Sequence, residues 1–266
     1  MPPRSATITV MIQAAYKAAR GLVRDFGEVE NLQVSKKGPA DFVTAADIQA
    51  EKTLRWELNR ARPNYAMLLE ESGAVAGRDS DYRWIVDPLD GTLNFLHGIP
   101  HFCISIGLEQ AGEMIAGVIY DPLRDELFHA EKGAGAYLND HRIRVSSRDK
   151  MMESVIATGI PAVGRGRYDE YRAQLSLVME QTAGIRRMGS AALDLAYVAA
   201  GRCEGFWEPA LSPWDIAAGI VILREAGGYV TDFNGAAVNL DDGDILAAND
   251  RVHGPLKSLL AKAKTG

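Results

Sequence analysis

Trp84-Ile85-Val86-Asp87-Pro88-Leu89-Asp90-Gly91-Thr92 decides how this chain is read: a short apolar run, two carboxylates three residues apart, then a glycine and a hydroxyl. An apolar run bounded by Pro and Gly reads as a buried strand that stops at the acids. Two carboxylates at the end of a buried strand are costly unless a cation neutralises them, and a divalent metal does so through oxygen ligands. Gly91 and Thr92 can turn backbone N–H groups toward an anion. The segment therefore reads as a corner for a metal and a phosphate. An Asx turn or helix cap is the better reading of a single Asp; for the pair, metal ligation stands somewhat ahead.

Working outward, 266 residues permit one large domain or two small ones, and a 47% hydrophobic content supplies a substantial core. A net charge of -6 disfavours a nonspecific nucleic-acid binder, so no direct nucleic-acid contact is expected. Cys103 and Cys203, both in apolar surroundings, read as buried thiols of a reducing compartment. The N-terminus lacks an apolar h-region and no apolar run approaches membrane-spanning length. No membrane partner is expected, and the cytoplasm is the default location.

Ile8, Met11, Ile12, Ala15, Ala19, Leu22, Val23 and Phe26 recur at helical spacing, with Gly27 as a stop. Ser35 to Pro39 reads as a loop. Thr44 opens a second helix that ends near Pro63. From Ala66 to about Val145 the texture changes to strand-length runs: 67–69, 84–86, 102–108, 114–120, 126–130 and 136–138. Their Gly, Asp and Pro punctuation favours antiparallel hairpins. Beyond residue 150, strands at 155–158, 205–208, 229–231 and 245–248 mix with helices at 168–181, 190–200, 213–226 and 252–263. This divides the chain into an N-terminal α+β half (1–147) with the antiparallel sheet and most acidic motifs, and a C-terminal α/β half (148–266).

Other acids recur in related settings. Glu70 and Glu71 end the apolar run 67–69; neighbouring strand residues face opposite ways, so at most one joins a metal site easily. Asp215 sits in the first turn of a helix after Pro213, which suits the helix dipole without any function. Asp47 belongs to Thr44-Ala45-Ala46-Asp47, a capping box. Gly189-Ser190-Ala191 starts a helix, either as plain capping or as a place where free N–H groups hold an anion or polyol. Glu208 is open to two readings, a hydroxyl acceptor or an exposed loop acid. His97, His101 and His129 lack zinc spacing and read as ordinary polar residues.

Taken in order, Lys36, Asp41–Asp47, Glu70-Glu71-Ser72, Asp87–Thr92, Gly189–Ala192 and Trp214–Gly219 resemble the inositol monophosphatase family, over about residues 6–260. The resemblance implies a mixed α+β and α/β fold, the αβαβα layered sandwich shared with fructose-1,6-bisphosphatase. It implies hydrolysis of a small phosphorylated polyol, inositol 1-phosphate above all, with two or three Mg²⁺ ions, Mn²⁺ as a substitute, and sensitivity to Li⁺. By carry-over, Glu70, Asp87, Asp90, Asp215 and the Leu89 carbonyl are metal ligands. Thr92 with Asp47 orients or deprotonates the attacking water, and Glu70 shares in the catalysis. Asp90, Gly91, Thr92, Gly189, Ser190, Ala191, Glu208 and Asp215 meet the substrate, while Glu71 and Lys36 stand behind them.

Leu69 replaces a small residue found in many relatives, the loop 208–213 departs from the animal enzymes, and Asp194 stands in the sugar-facing neighbourhood. Fructose-1,6-bisphosphatase, histidinol-phosphate phosphatase and nucleotide 3′-phosphatase activities are the nearest alternatives on the same metal core. An alternative of another class is a binding partner in a transcription antitermination complex, with Arg165, Arg167, Arg186 and Arg187 as its surface. The resemblance also implies a homodimer, for which apolar strand residues between Phe102 and Tyr120 are one candidate surface and the core an equal alternative.

Overall fold

The computed structural model describes residues 4–28, 34–38, 41–161 and 167–263. In chain order its helices are α1 (Ala6–Phe26), α2 (Ala45–Ala61), α3 (Thr92–Leu96), α4 (Tyr168–Met179), α5 (Ala191–Ala199), α6 (Pro213–Glu225) and α7 (Asp250–Lys262). Its strands are β1 (Val34–Gly38), β2 (Asp41–Thr44), β3 (Tyr65–Leu69), β4 (Gly73–Val75), β5 (Asp79–Asp90), β6 (Cys103–Gln110), β7 (Glu113–Asp121), β8 (Glu126–Glu131), β9 (Gly135–Leu138), β10 (His141–Ile143), β11 (Val155–Thr158), β12 (Gly184–Arg186), β13 (Gly205–Glu208), β14 (Tyr229–Thr231) and β15 (Ile245–Ala248).

Among the described residues, eight strands form one sheet in the order β10-β9-β8-β7-β6-β5-β3-β4, and five form a second in the order β12-β11-β13-β15-β14. Each face that these sheets present is apolar and needs a cover. The apolar stripes of α1 and α2, including Met11, Leu22, Leu54 and Leu58, close one face of the first sheet over Trp84, Val86 and Ile104. Helices α5 and α6 lie between the sheets, where Leu195, Ala217 and Ile220 meet Ile85, Ile119 and Phe206. Helix α7 covers the far face of the second sheet with Val252, Leu256 and Leu260 against Trp207 and Leu246, and α4 adds Tyr171 and Val178. The layers run helix, sheet, helix, sheet, helix, as the resemblance implies.

The middle layer is close because glycine stands where it passes. A Cβ on Gly117 of β7 would lie 2.4 Å from the Ala218 carbonyl, and one on Gly107 of β6 would lie 2.9 Å from the Ala217 Cβ. Small residues on both sides let α6 lie against the sheet and bring its first turn to the end of β5.

Several sequence expectations are corrected. Ser35–Gly38 is not a loop but part of β1, which pairs antiparallel with β2 from Val34↔Thr44 to Gly38↔Asp41. Main-chain pairing forms this hairpin, and its polar side chains give no hydrophobic signal. Pro39 lies outside the described residues. Strand β5 does not stop at Pro88; it runs on to Asp90 through a register shift against β6 between Asp87 and Asp90. Proline is tolerated there because a bulge needs no ladder donor. The first sheet is not made of hairpins alone, since β3 and β5 pair in parallel. The short strands β4, β10 and β12 carry too few apolar residues to be read. Phe102, Ile104, Ile106, Val118 and Ile119 are fully buried within one chain, so they form core and are no subunit surface. No helix among the described residues is long and apolar enough to cross a membrane.

Candidate metal centre

The bulge in β5 decides the site. Across it, Asp87 pairs with Ser105 and Asp90 with Cys103, so Pro88 and Leu89 are displaced from the regular ladder. The Leu89 N–H donates to Asp87 Oδ1 at 2.8 Å, which fixes that carboxylate beside its own turn. Both acids are buried, Asp87 at 2% and Asp90 at 9% exposure.

Asp90 reaches the start of α5. Its Oδ2 accepts from the Ser190 hydroxyl at 2.6 Å and from the Ala192 N–H at 2.7 Å. A carboxylate at a helix N-terminus takes up donors that have no intrahelical acceptor. The free N–H groups expected at Gly189-Ser190-Ala191 are thus partly filled by a side chain of the protein itself. Asn94 ties the two segments together: its Nδ2 donates to the carbonyls of His101 at 2.8 Å and Met188 at 2.9 Å. Gly189 turns the chain there with a φ of 91°.

Asp215 arrives from the first turn of α6. Pro213 opens that helix, and the Ser212 N–H donates to Asp215 Oδ2 at 2.7 Å in a capping box. The Ser105 hydroxyl pins the Trp214 carbonyl at 3.2 Å, which anchors this turn to β6. One carboxylate oxygen from each of Asp87, Asp90 and Asp215 lies within 4.8 Å of the others. Glu70, just past β3, completes the group: its N–H donates to the Val86 carbonyl at 3.2 Å, and its carboxyl hydrogen-bonds Asp87.

Four acids from three segments cannot all stay ionised in a shared buried space. Burial, then the charges of Glu70, Asp90 and Asp215, hold the Asp87 carboxyl well above its usual range. Burial and then Asp90 do the same to Asp215. Asp90 is pushed up to about 6 by burial, against the opposing pull of Ser190 and the α5 amides. The charges that act most strongly on Asp87 are all acidic. Convergent carboxylate oxygens fit a hard divalent cation.

The Thr92 hydroxyl lies 3.0 Å from the Leu89 carbonyl and 3.2 Å from Asp47 Oδ1. The capping box expected at Thr44 is present: Asp47 Oδ2 accepts from the Thr44 N–H at 2.9 Å and from its hydroxyl. Asp47 is fully buried, and burial raises its carboxyl above the ordinary value despite those bonds.

One helical turn further along α2, Glu51 is buried and accepts from the Glu71 N–H at 2.8 Å and from the Ser72 hydroxyl. Glu51 therefore fixes the turn that presents Glu70. Sequence reasoning missed it; the signal available was its i, i+4 spacing from Asp47 on an otherwise inward-facing stripe.

Gly189, Ser190, Ala191, Glu208, Asp90 and Asp215 all line one pocket of about 130 Å³, together with Arg187 and Asp194. Glu208 lies directly on the Gly159 backbone, where a Cβ would fall 1.9 Å from its Oε1. Burial, then Asp90, pushes Glu208 up to about 8. Gly91, with a φ of 99°, caps α3 beside Thr92. The side chain of Lys36 and all of Arg165 lie outside the described residues. His101 and His129 are buried, and burial depresses each to about 4, so they are neutral core residues.

An inositol-1-monophosphatase of Mesorhizobium japonicum is 56% identical over 97% of each chain. A Nus factor SuhB of Pasteurella multocida is 42% identical over 96% of this chain and 94% of its own. The crystal structure of extragenic suppressor protein suhB from Bartonella henselae superposes with a TM-score of 0.94, at 55% identity, covering 97% of this chain and 99% of that one. The family model for the inositol monophosphatase family matches residues 4–264, nearly the whole chain and all of the span that carries the acids converging here. With that match added to the layered fold and the carboxylate centre, the chain belongs to the inositol monophosphatase family.

Proposed function

We propose that this protein is a Mg²⁺-dependent phosphate monoester hydrolase whose principal substrate is inositol 1-phosphate. The observation that carries the reading is the convergence of Asp87, Asp90 and Asp215 within 4.8 Å, with Glu70 bonded to Asp87. Glu70, Asp87, Asp90, Asp215 and the Leu89 carbonyl would hold two or three Mg²⁺ ions, with Mn²⁺ able to replace them. When bound, these ions neutralise the phosphoryl oxygens and lower the pKa of water near them.

The protein's own groups divide the remaining work. Asp47 accepts from Thr44 through one oxygen, and its other oxygen and the Leu89 carbonyl are the two acceptors, at 3.2 and 3.0 Å, that the Thr92 hydroxyl faces. Thr92 Oγ1 takes the proton that the attacking water loses while its own hydroxyl proton moves to Asp47; as the new P–O bond forms, the ester P–O bond breaks and the leaving alkoxide takes a proton from solvent. The Gly91 and Thr92 amides, at the start of α3 where no intrahelical acceptor exists, hold phosphate oxygens. Ser190 and the α5 amides orient Asp90, and Glu51 orients the turn bearing Glu70. Glu208, the Ala191 backbone and Gly189 face the alcohol portion.

Kinetics with inositol 1-phosphate, fructose 1,6-bisphosphate, histidinol phosphate and 3′-phosphoadenosine 5′-phosphate test the reading, ranked by kcat/KM. Inositol 1-phosphate should lead, with full dependence on Mg²⁺ and inhibition by Li⁺. Turnover in EDTA, or a clear preference for another member of the panel, contradicts it. The expected assembly is a homodimer in the cytoplasm, with light scattering as its check. A role as protein partner of a transcription complex draws only on relatives named Nus factor, while the 56% identical relative is named for the phosphatase. Capture of RNA polymerase by an Asp90→Asn variant would support it.

A further inference from the structure

We infer that Asn94 is a positioning residue for the hydrolysis: it locks the turn that carries Thr92 to the turn that carries Ser190, so that the water-directing hydroxyl and the Asp90 carboxylate keep one spacing. This rests on the hydrolase reading above. Asn94 lies in α3, two residues beyond Thr92, and is 5% exposed. Its Nδ2 donates to the His101 carbonyl at 2.8 Å and to the Met188 carbonyl at 2.9 Å, and the Gly189 carbonyl stands at 3.4 Å. All three partners can only accept, so the NH₂ end of the amide must face them. The Asn94 backbone carbonyl accepts from the Ile99 N–H at 2.9 Å, which closes the loop leading to His101.

Each segment that Asn94 holds abuts a glycine of the site. A Cβ on Gly91 would lie 3.0 Å from the His101 carbonyl oxygen, and one on Gly189 would lie 2.9 Å from Asn94 Nδ2 itself. Both glycines have a positive φ, 99° and 91°. No side chain stands between the amide and either turn, so a shift of Asn94 passes straight into both backbones. Beyond Gly91, the Thr92 hydroxyl faces Asp47 and the Leu89 carbonyl. Beyond Gly189, the Ser190 hydroxyl donates to Asp90 Oδ2 at 2.6 Å. Asn94 touches none of the reacting atoms; it acts through these two turns. Misplacing a reacting group by about 1 Å costs on the order of 10²-fold in rate, so a clamp of this kind is read in kcat.

Asn94→Ala and Asn94→Ser, the second keeping one donor, are compared with the wild type at a temperature where circular dichroism shows every protein folded. Asn94→Ala should lose roughly 10- to 100-fold in kcat on inositol 1-phosphate and on phenyl phosphate alike, with KM changed less than about threefold. It should also weaken Mn²⁺ binding about 10-fold by calorimetry. Asn94→Ser should lose less in each assay. Because Asn94 reaches Asp90 through Ser190, the double variant Asn94→Ala, Ser190→Ala should bind Mn²⁺ about as tightly as the weaker of the two single variants.

An unchanged kcat for the folded variant, with only a lower melting temperature, overturns the proposal and marks a structural residue. Unchanged Mn²⁺ affinity also overturns it, as do single losses that multiply in the double variant. A loss confined to KM for inositol 1-phosphate does the same, because Asn94 would then serve the alcohol side alone. If the Ala variant does not fold, the Ser variant carries the same comparisons. A wild type that hydrolyses neither ester is a different result: it removes the hydrolase reading, while the Mn²⁺ comparison still decides whether Asn94 holds Asp90 through Ser190.

Discussion

Removing one carboxylate from the centre should make the metal-free protein more stable, although it destroys the centre. Asp87, Asp90 and Asp215 present oxygens within 4.8 Å of one another. At that distance and an effective dielectric constant near 20, two full charges repel by about 3.5 kcal/mol. Protonation relieves part of this: burial and then the neighbouring acids hold Asp87 and Asp215 well above the ordinary carboxylate range, and burial pushes Asp90 up to about 6. Asp215→Asn leaves one pair of the three and keeps an oxygen to accept the Ser212 N–H. It should therefore recover about 2–3 kcal/mol in EDTA, a rise of roughly 4–12 °C in Tm for a chain of this size.

Magnesium should close the gap. A ligand at a hundredfold excess over its Kd stabilises by about 2.7 kcal/mol, and the wild type should show that gain while Asp215→Asn does not. The assay is differential scanning calorimetry with and without MgCl₂ on both proteins. A variant that melts below the wild type in EDTA, or that gains as much from MgCl₂, refutes the argument.

Three other outcomes follow from the same geometry. Glu208 has a folded-state value of about 8 against an ordinary 4.5, so the folded chain holds its proton longer than the unfolded chain. Its contribution is complete below pH 4.5 and is lost as pH rises to about 8; urea midpoints in EDTA should fall over that window, and Glu208→Gln should flatten the fall. Ser190→Ala deletes the 2.6 Å bond to Asp90 and should weaken Mn²⁺ binding roughly 10- to 100-fold by calorimetry; unchanged affinity would deny Ser190 its positioning role. Gly117→Ala forces a Cβ to 2.4 Å from the Ala218 carbonyl and should cost about 3 kcal/mol, read as a lower urea midpoint.

What could be read from the sequence was whatever repeats or caps. The stripe from Ile8 to Phe26 and the Thr44–Asp47 box each lie in a helix of nearly the expected extent, and the strands at 155–158 and 205–208 match residue for residue. The acids of the centre were legible only together, because each alone has an ordinary explanation: Asp215 as a helix cap, Asp47 as a capping box, Glu70 as a turn. The structure shows that both meanings coexist, since Asp215 caps α6 through one oxygen and faces Asp90 from the same side chain.

The rest depends on long-range meetings that no local pattern encodes. Ser190 reaches Asp90 across 100 residues, and Asn94 reaches Met188 across 94. Glu51 went unassigned because a buried acid on a helix has the same local texture as a solvated one. The hairpin of β1 and β2 was hidden by its lysines, and the continuation of β5 past Pro88 by a residue that ordinarily ends strands.

The measurement that bears most directly on the account is an anomalous difference map from a crystal soaked in Mn²⁺ and phosphate. The account predicts peaks bounded by Glu70, Asp87, Asp90 and Asp215, with the phosphate against the Gly91 and Thr92 amides. Carboxylates that remain clustered with no anomalous peak between them at saturating Mn²⁺ would contradict it.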